Sequence, residues 1–537
     1  MDVIFSAAEK FTVMLDTTCK AIPVRSTDHV VRWSHSWAGF LLIAVVFSTV
    51  YGLKPLYYND QNDKFLRGLA AARVGYLQED WAANTRDPFP VFSALVTWTY
   101  KVHAGLFYVY YAALLGIYAW SLMSVIVSTT DIGTNRAVLA MFVVGILTLH
   151  STTLAAYKLE IGDLRDLFTG GVASKTMLSS YLVPSSFSVF ILLSVAFFLR
   201  GYPYVAVAAN AVAGTFHAHY LLPAALLTLP YLWLYWRDTQ RIRSLLALGG
   251  VAFALVVPIV VYNATRFESA TPTLHAQALH IFNHFRIPHH VELHRWMGVD
   301  VVLKALFIIA AFVLMRKTRL FVILLPLFMV TVLLTVVQLW SGNEDLAYLL
   351  PWRYMVFLVP VATAMLLAVG VRTVVGALSY STQRLLLIVA VVWVGVLLYP
   401  GAKQVYGLVR TNIPYVDQNA RPMVEHIRQH REPGQLYLVP PRLQTFRLAA
   451  GVPIFVDWKT VPFGDEGVLE WYRRYRLADA FYEASPAQRW ATLTTLVQNE
   501  KITHVVFHTE TLGDVVPLSH VIETFRSPVY TVYEVRQ

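Results

Sequence analysis

The sequence predicts a mainly α-helical polytopic membrane protein of about eleven transmembrane helices, with a small soluble α/β domain at its C-terminal end. Three observations predict it. The mean hydropathy is +0.52 over the whole chain. Only 14% of its 537 residues are charged, too few to cover a soluble globule of this size. Apolar runs of roughly 17–25 residues recur up to about Pro400, and beyond it the composition becomes that of an ordinary soluble domain.

The formal net charge of +10 raises the question of nucleic acid. Its Lys and Arg residues lie in short connections between apolar runs rather than along one polar face, which excludes nucleic acid as the expected partner and points to membrane lipids. A single cysteine, Cys19, excludes an internal disulfide and any cysteine-rich metal cluster. Residues 1–35 form an amphipathic segment with Lys10, Lys20, Arg25 and Arg32. The first apolar run starts too far in for a cleaved signal peptide and is expected to be retained as a span.

Spans are expected near 36–52, 103–128, 137–156, 181–199, 203–217, 219–236, 244–262, 299–315, 320–340, 353–371 and 385–399. With this odd count, Arg136, Arg200, Arg237, Arg241, Arg243, Arg316, Lys317, Arg319 and Arg384 all fall on one side, which the positive-inside rule makes cytoplasmic. The N-terminal segment 1–35 is then cytoplasmic, and 36–400 is the transmembrane domain. Loops 53–102, 157–180 and 263–298 and the domain 401–537 lie on the extracytoplasmic, periplasmic face of an inner membrane.

In the first long loop, Phe65, Leu66, Leu69, Ala72, Tyr76 and Leu77 recur at helical spacing and suggest a helix lying in the membrane interface. Asp87-Pro88-Phe89-Pro90 breaks it, and a second helix runs from Val91 to Tyr100. In the tail, Gln435–Val439, His504–Phe507 and Pro528–Val535 suggest strands, and Glu466–Tyr482 and Ser485–Glu500 helices. No internal repeat is visible.

The spans are mostly free of ionisable residues, which disfavours a transporter. Polar residues gather instead in the three outer loops, as suits a site that serves one lipid-soluble and one water-soluble partner. This layout resembles the GT-C superfamily of membrane glycosyltransferases, in which a first outer loop with acidic residues follows the first span and an outer domain closes the chain. Gln61-Asn62 to Gly68, Asp80-Trp81, Asp87 to Phe92, Arg286-Ile287-Pro288-His289-His290 and Val456-Asp457-Trp458-Lys459 are also similar to an uncharacterised bacterial membrane-protein group related to that superfamily.

The resemblance implies transfer of a sugar from a polyprenyl-phosphate-linked donor to an acceptor glycan, lipid or protein. It also implies a carboxylate base soon after the first span. Asp60 matches by spacing, with Asp63, Asp80 and Asp87 as rivals; Asn59-Asp60-Gln61 stands where the mannosyltransferases carry an Asp-Glu pair. A solvated loop explains Asp60 and Asp63 nearly as well, a turn or cap before Pro88 explains Asp87, and an interfacial anchor beside Trp81 explains Asp80.

In the second loop, Asp163 and Asp166 share a face if the segment is helical and are candidates to hold Mg²⁺ or Mn²⁺ on a diphosphate, near Lys158, Glu160 and Arg165. A mixed-charge connection neutralised by Arg165 is the blander alternative. The third loop gathers His275, His280, His284, Arg286, His289, His290, His294 and Arg295 among Phe282, Phe285 and Trp296. His280 and His284, four apart, are spaced to bind zinc on a helix, although no HExxH pattern accompanies them. Arg286, His289 and His290 are favoured as donors to the lipid phosphate, with solvated interfacial histidines as the alternative.

Arg353, after Trp352 at an outer helix end, is a further phosphate clamp or else an interfacial anchor, and His217 and His219 near the fifth-to-sixth break either face a lipid-carrier groove or, the preferred reading, are hydrogen-bonded core histidines. In the tail, packing is preferred to sugar binding for Asp457-Trp458-Lys459 and Trp471 to Arg474. The alternative functions are a non-catalytic lipid-binding subunit of an envelope complex and, after it, a transporter.

Overall fold

A computed structural model describes residues 36–159, 162–173, 175–411, 415–512 and 521–536. The amphipathic segment 1–35, with Cys19, and Glu160 lie outside the described residues. A helix occupies each of the eleven expected spans. In chain order the membrane region contains α1 (Trp37–Tyr51), the short α2 (Gln61–Lys64) and α3 (Leu66–Ala71), α4 (Pro90–Val102), α5 (Leu106–Thr129) and α6 (Arg136–His150). There follow α7 (Val189–Leu199), α8 (Pro203–Phe216), α9 (Leu221–Thr239), α10 (Ile242–Arg266), α11 (Pro272–His280), α12 (Val299–Met315), α13 (Arg319–Ser341), α14 (Glu344–Leu349), α15 (Leu358–Gly376) and α16 (Tyr380–Thr411). Among the described residues, six helical segments are long and apolar enough to cross a bilayer by themselves: Leu106–Thr129, Arg136–Ala156, Ile242–Arg266, Arg319–Ser341, Glu344–Gly376 and Tyr380–Arg410.

Burial separates the inner helices from the outer ones. Tyr111, Leu115, Tyr118 and Leu122 of α5 and Val359, Val361 and Ala362 of α15 belong to one core. On α10 and α16, by contrast, Leu246, Phe253, Ile388, Val391 and Val392 are exposed, an apolar surface that only lipid can solvate.

The helix expected in the interface is two short pieces, α2 and α3, and it lies inside the protein. Phe65, Leu66 and Leu69 are completely buried. The reason is Gly68: a Cβ there would stand 2.5 Å from Val96 Cβ and 2.7 Å from the Ser93 carbonyl, so only glycine lets α3 lie directly on α4.

The tail carries α17 (Arg421–His430), α18 (Asp465–Glu483) and α19 (Pro486–Glu500) around a four-stranded sheet. After a two-residue hairpin in the second loop (β1, Lys158–Leu159; β2, Gly162–Asp163), its strands are β3 (Tyr437–Leu438), β4 (His504–His508), β5 (Val521–Arg526) and β6 (Tyr530–Val535), ordered β3-β4-β6-β5. β3 runs parallel to β4 and the other pairs are antiparallel. Both faces are covered, so β4 is apolar without alternation. Val505 and Phe507 join Trp471, Tyr475 and Leu493 on one side, and Val506 joins Met423, Val424 and Phe446 on the other.

The three long loops and the tail domain meet on one side of the helical bundle. Lys459 of the tail pairs with Asp60 of the first loop, Arg286 of the third loop donates to the Lys459 carbonyl, and His275 bridges to Asp465.

Candidate functional site

Where these segments meet they enclose a cavity of about 610 Å³. Asp60, Asp63 and Lys64 come from the first loop, Lys175 from the second, Arg286, His289 and His290 from the third, Arg353 from the turn before α15, and Lys459 from the tail. His217 and His219 line it between α8 and α9. A larger apolar cavity, about 820 Å³, lies among α1, α5, α6 and α16, and its charged lining is limited to Arg136 and Arg200.

The backbone is strained at two places that deliver these side chains. Tyr57 and Asn59 adopt φ of 66° and 47°, a region unfavourable for side chains with a Cβ, on either side of Tyr58 and immediately before Asp60. Gln61 and Asn62 hold that turn. Gln61 Oε1 accepts from Tyr57 N at 2.8 Å while its Nε2 donates to the Leu182 carbonyl at 3.0 Å. Asn62 Nδ2 donates to the carbonyls of Tyr57 and Asn59 at 2.6 and 3.1 Å. Leu350 has φ of 50° just before Pro351-Trp352-Arg353. Trp352 is then fixed by stacking on Trp296 at 5.0 Å and by donating its Nε1–H to the His290 carbonyl at 2.9 Å. Gly171 lets the second loop approach that turn, since a Cβ there would stand 2.8 Å from Val356 Cα.

Asp60 receives the Lys459 ammonium on one oxygen and the Tyr181 hydroxyl on the other at 3.2 Å. Burial pushes its carboxyl up, but Lys459, helped by Lys64 and Tyr181, outweighs burial and holds it below the ordinary carboxylate range. Lys459 also donates to Asn59 Oδ1 at 2.9 Å.

Lys175, Arg286 and Arg353 have no carboxylate within ion-pair distance among the described residues. Arg286 lies over the Trp458 ring at 5.3 Å and Lys175 over Tyr220 at 5.3 Å. The Nε atoms of Arg286 and Arg353 and Nδ1 of His290 are buried without a hydrogen-bond partner. Burial, then the nearby Arg353 charge, drives Lys175 well below its ordinary value. Burial and Arg353 also bring His290 down to about 2, and burial with Arg286 lowers His289, so both imidazoles are neutral at physiological pH. Burial is the main cause of these shifts and neighbouring positive charge the second for Lys175, His289 and His290, and a bound anion would oppose both.

Several expected residues are placed elsewhere. Asp80 is fully buried in the joint with the tail: it accepts from the backbone N–H groups of Ala82, Ala83 and Ile454 and pairs with Arg447 at 3.1 Å. Asp87 accepts from Phe89 N at 2.9 Å, a turn before Pro88, and its carbonyl receives the Tyr262 hydroxyl. Asp163 and Asp166 do not share a helical face, because Asp163 is the extended cap residue before the short helix Leu164–Thr169 and accepts from Arg165 N at 2.7 Å. Asp166 is held by Lys304 at 2.8 Å. Both line a separate space of about 300 Å³ beside Arg165, and with an ammonium on one carboxylate and a capping bond on the other the pair does not fit Mg²⁺ or Mn²⁺.

Residues 418–478, which include Lys459, match the domain family DUF6798, a domain of unknown function. No curated protein matches the chain. Among solved structures the chain is similar to ArnT from Cupriavidus metallidurans bound to undecaprenyl phosphate. The identity is 15% and the TM-score 0.43, over 93% of this chain and 98% of that one.

Sequence reasoning missed Lys64 and Lys175 as cavity residues, and took Lys459 for packing. Asp457 and Trp458 do pack, with Asp457 accepting from Thr460 N at 2.6 Å and its carbonyl from Trp471 Nε1 at 2.9 Å, while Lys459 turns into the cavity. The available signal for Lys175 was a lone lysine in an apolar stretch, Val172 to Leu182, that spends no charge on a neighbour in sequence.

Proposed function

We propose that this protein is a glycosyltransferase that moves a sugar from a polyprenyl-phosphate-linked donor to an acceptor on the extracytoplasmic face of the membrane. The observation that carries the reading is the meeting of Asp60 with Lys64, Lys175, Arg286, Arg353 and Lys459 around one cavity. A carboxylate can take the proton of an acceptor hydroxyl as its oxygen attacks the anomeric carbon. As that bond forms, the bond from the anomeric carbon to the phosphate oxygen breaks. The polyprenyl phosphate departs with its charge on the unpaired cations, Arg353, Arg286 and Lys175, while neutral His289 and His290 supply further hydrogen bonds.

Lys459 has a second part in this scheme. In the free protein it neutralises Asp60. An arriving phosphate competes for the ammonium, and Asp60 becomes more basic as its partner leaves, so that donor binding prepares the base.

Mass spectrometry of copurified lipid identifies the donor, and turnover of that donor by reconstituted protein is the test. Asp60→Asn is expected to lower kcat by roughly 10²–10⁴-fold while donor binding persists. Unchanged turnover ends the assignment of the base. Retention of a polyprenyl phosphate with no sugar consumed would favour the lipid-binding subunit, a reading supported by the Lys459 contact on Asp60.

A further inference from the structure

We infer that His280, His284 and Glu344 form a transition-metal site of the zinc class, outside the phosphate cavity and independent of the function proposed for it. α11 ends at His280, and the chain continues as a π-helical turn over Ile281–Arg286. A π-turn inside a helix is uncommon and marks functional positions more often than neutral ones. Here it brings the His280 and His284 rings to 4.8 Å between centroids. Glu344, the first residue of α14, faces both: its Oε1 lies 3.1 Å from His280 Nδ1 and 3.4 Å from His284 Nε2.

Tetrahedral zinc with bonds of about 2.0–2.1 Å separates its ligand atoms by roughly 3.3 Å. The two carboxylate–imidazole distances already have that spacing, and all three ligand atoms lie within 4.8 Å of one another. Both imidazoles are exposed and free to adjust, and the open side leaves room for a water as fourth ligand.

The groups around the three ligands are also those a metal site uses. Glu292, held by Arg295 Nε at 2.6 Å, places its Oε1 3.6 Å from His284 Nδ1, the ring nitrogen away from the metal position, as a nearby negative charge rather than a hydrogen-bond partner. Asn283, fully buried, donates to the Glu344 carbonyl at 3.1 Å and lies within 3.5 Å of Glu344 Oε2. Two imidazoles and one carboxylate suit Zn²⁺, Co²⁺ or Ni²⁺ and not Ca²⁺ or Mg²⁺, which require a shell of oxygens. Such an ion would pin the third loop to α14. The π-turn ends at Arg286, and α14 leads through Leu350 to Arg353, so the ion would brace both segments that present guanidinium groups to the cavity.

The test uses full-length protein purified in detergent with a tag free of histidine, stripped with chelator and dialysed at pH 7.5. Zn²⁺ is titrated by calorimetry and Co²⁺ by visible absorption. We expect saturation at one equivalent and the intense cobalt spectrum of four- or five-coordination. His280→Ala with His284→Ala abolishes both signals, and Glu344→Gln, which keeps the side-chain shape and removes the ligand's charge, weakens affinity at least about tenfold. His103→Ala and His430→Ala, at exposed histidines elsewhere, leave binding unchanged. Absence of saturable binding, equal binding by the double variant, or the weak spectrum of hydrated cobalt overturns the site. If the metal-free double variant melts below metal-free wild type, Glu344→Gln decides: unchanged affinity there also overturns it.

Discussion

Two regions of this molecule bury charge, and they do so in opposite ways. At the joint between the first loop and the tail, Arg447 is 2% exposed and lies between Asp80 and Asp457, at 3.1 and 3.3 Å. Backbone N–H groups of Ala82, Ala83 and Ile454 complete Asp80, and Thr460 completes Asp457 through its N–H and hydroxyl. In the cavity, five cationic side chains face three carboxylates, and Lys175, Arg286 and Arg353 have no carboxylate within ion-pair distance among the described residues. Buried charge that is matched and hydrogen-bonded holds two parts of a fold in register. Unmatched buried charge raises the free energy of the empty protein and lowers it again when an anion binds. The joint is therefore architecture and the cavity a site, although both draw on the same first loop and the same tail.

Substitution at each region is the most direct way to break this contrast. Arg447→Ala leaves Asp80 and Asp457 buried without their cation, and is expected to cost about 3–5 kcal/mol, the largest effect anywhere in the chain. Thermal unfolding of the detergent-solubilised protein measures it, and a loss below about 1 kcal/mol would show that the joint is not held by this pair. Arg353→Ala removes a cation that has no counter-charge, so the melting temperature should hold or rise. Affinity for a polyprenyl phosphate should fall by about 1.5–3 kcal/mol, or roughly 10–150-fold, as titration in nanodiscs would report. The contrast fails if Arg353→Ala destabilises as Arg447→Ala does and still binds the lipid.

The same contrast explains what was legible in the sequence. Helices at all eleven span positions were visible, because a bilayer demands long apolar runs that leave a strong signature. Two tail helices were found to within a few residues, as Asp465–Glu483 and Pro486–Glu500, but α17 was missed, and so was β5: Val521–Arg526 is a sheet edge in which Glu523, Thr524 and Arg526 interrupt the apolar residues. Arg286, His289, His290 and Arg353 were legible because density of cations in an outer loop, or one at a helix end, is unusual in itself. Asp80 could not be told from Asp60, since two acidic residues in one loop look alike until the tail supplies Arg447 to one and Lys459 to the other. Those partners stand hundreds of residues away in sequence, and no local pattern encodes such a pairing. Asp163 and Asp166 were misjudged for a related reason: the spacing assumed helix through Asp163, but its side chain begins the helix from outside.

His275 sharpens the comparison at the smallest scale, because it is neither fully matched nor unmatched but titrates between the two. It sits on α11 with Nε2 at 3.0 Å from Asp345 of the α14 segment and Nδ1 at 3.2 Å from Asp465 of the tail. The hydrogen bond to Asp345, followed by that to Asp465, raises its pKa against the opposing effect of burial. Facing a carboxylate at each nitrogen, the ring satisfies both only when it carries both protons. The strap is thus fully formed below the ordinary histidine value of about 6.5, and its stabilisation is lost as pH rises through the elevated pKa. With His275 43% and Asp345 68% exposed at the side chain, solvent screening limits the gain to a few tenths of a kcal/mol. Protection of the 273–280 amides, after correction for base-catalysed intrinsic exchange, should therefore fall slightly from mildly acidic to mildly alkaline pH, less so at high salt. His275→Gln, neutral at every pH, should flatten that profile, and an unchanged pH dependence in the variant would assign the effect to another group.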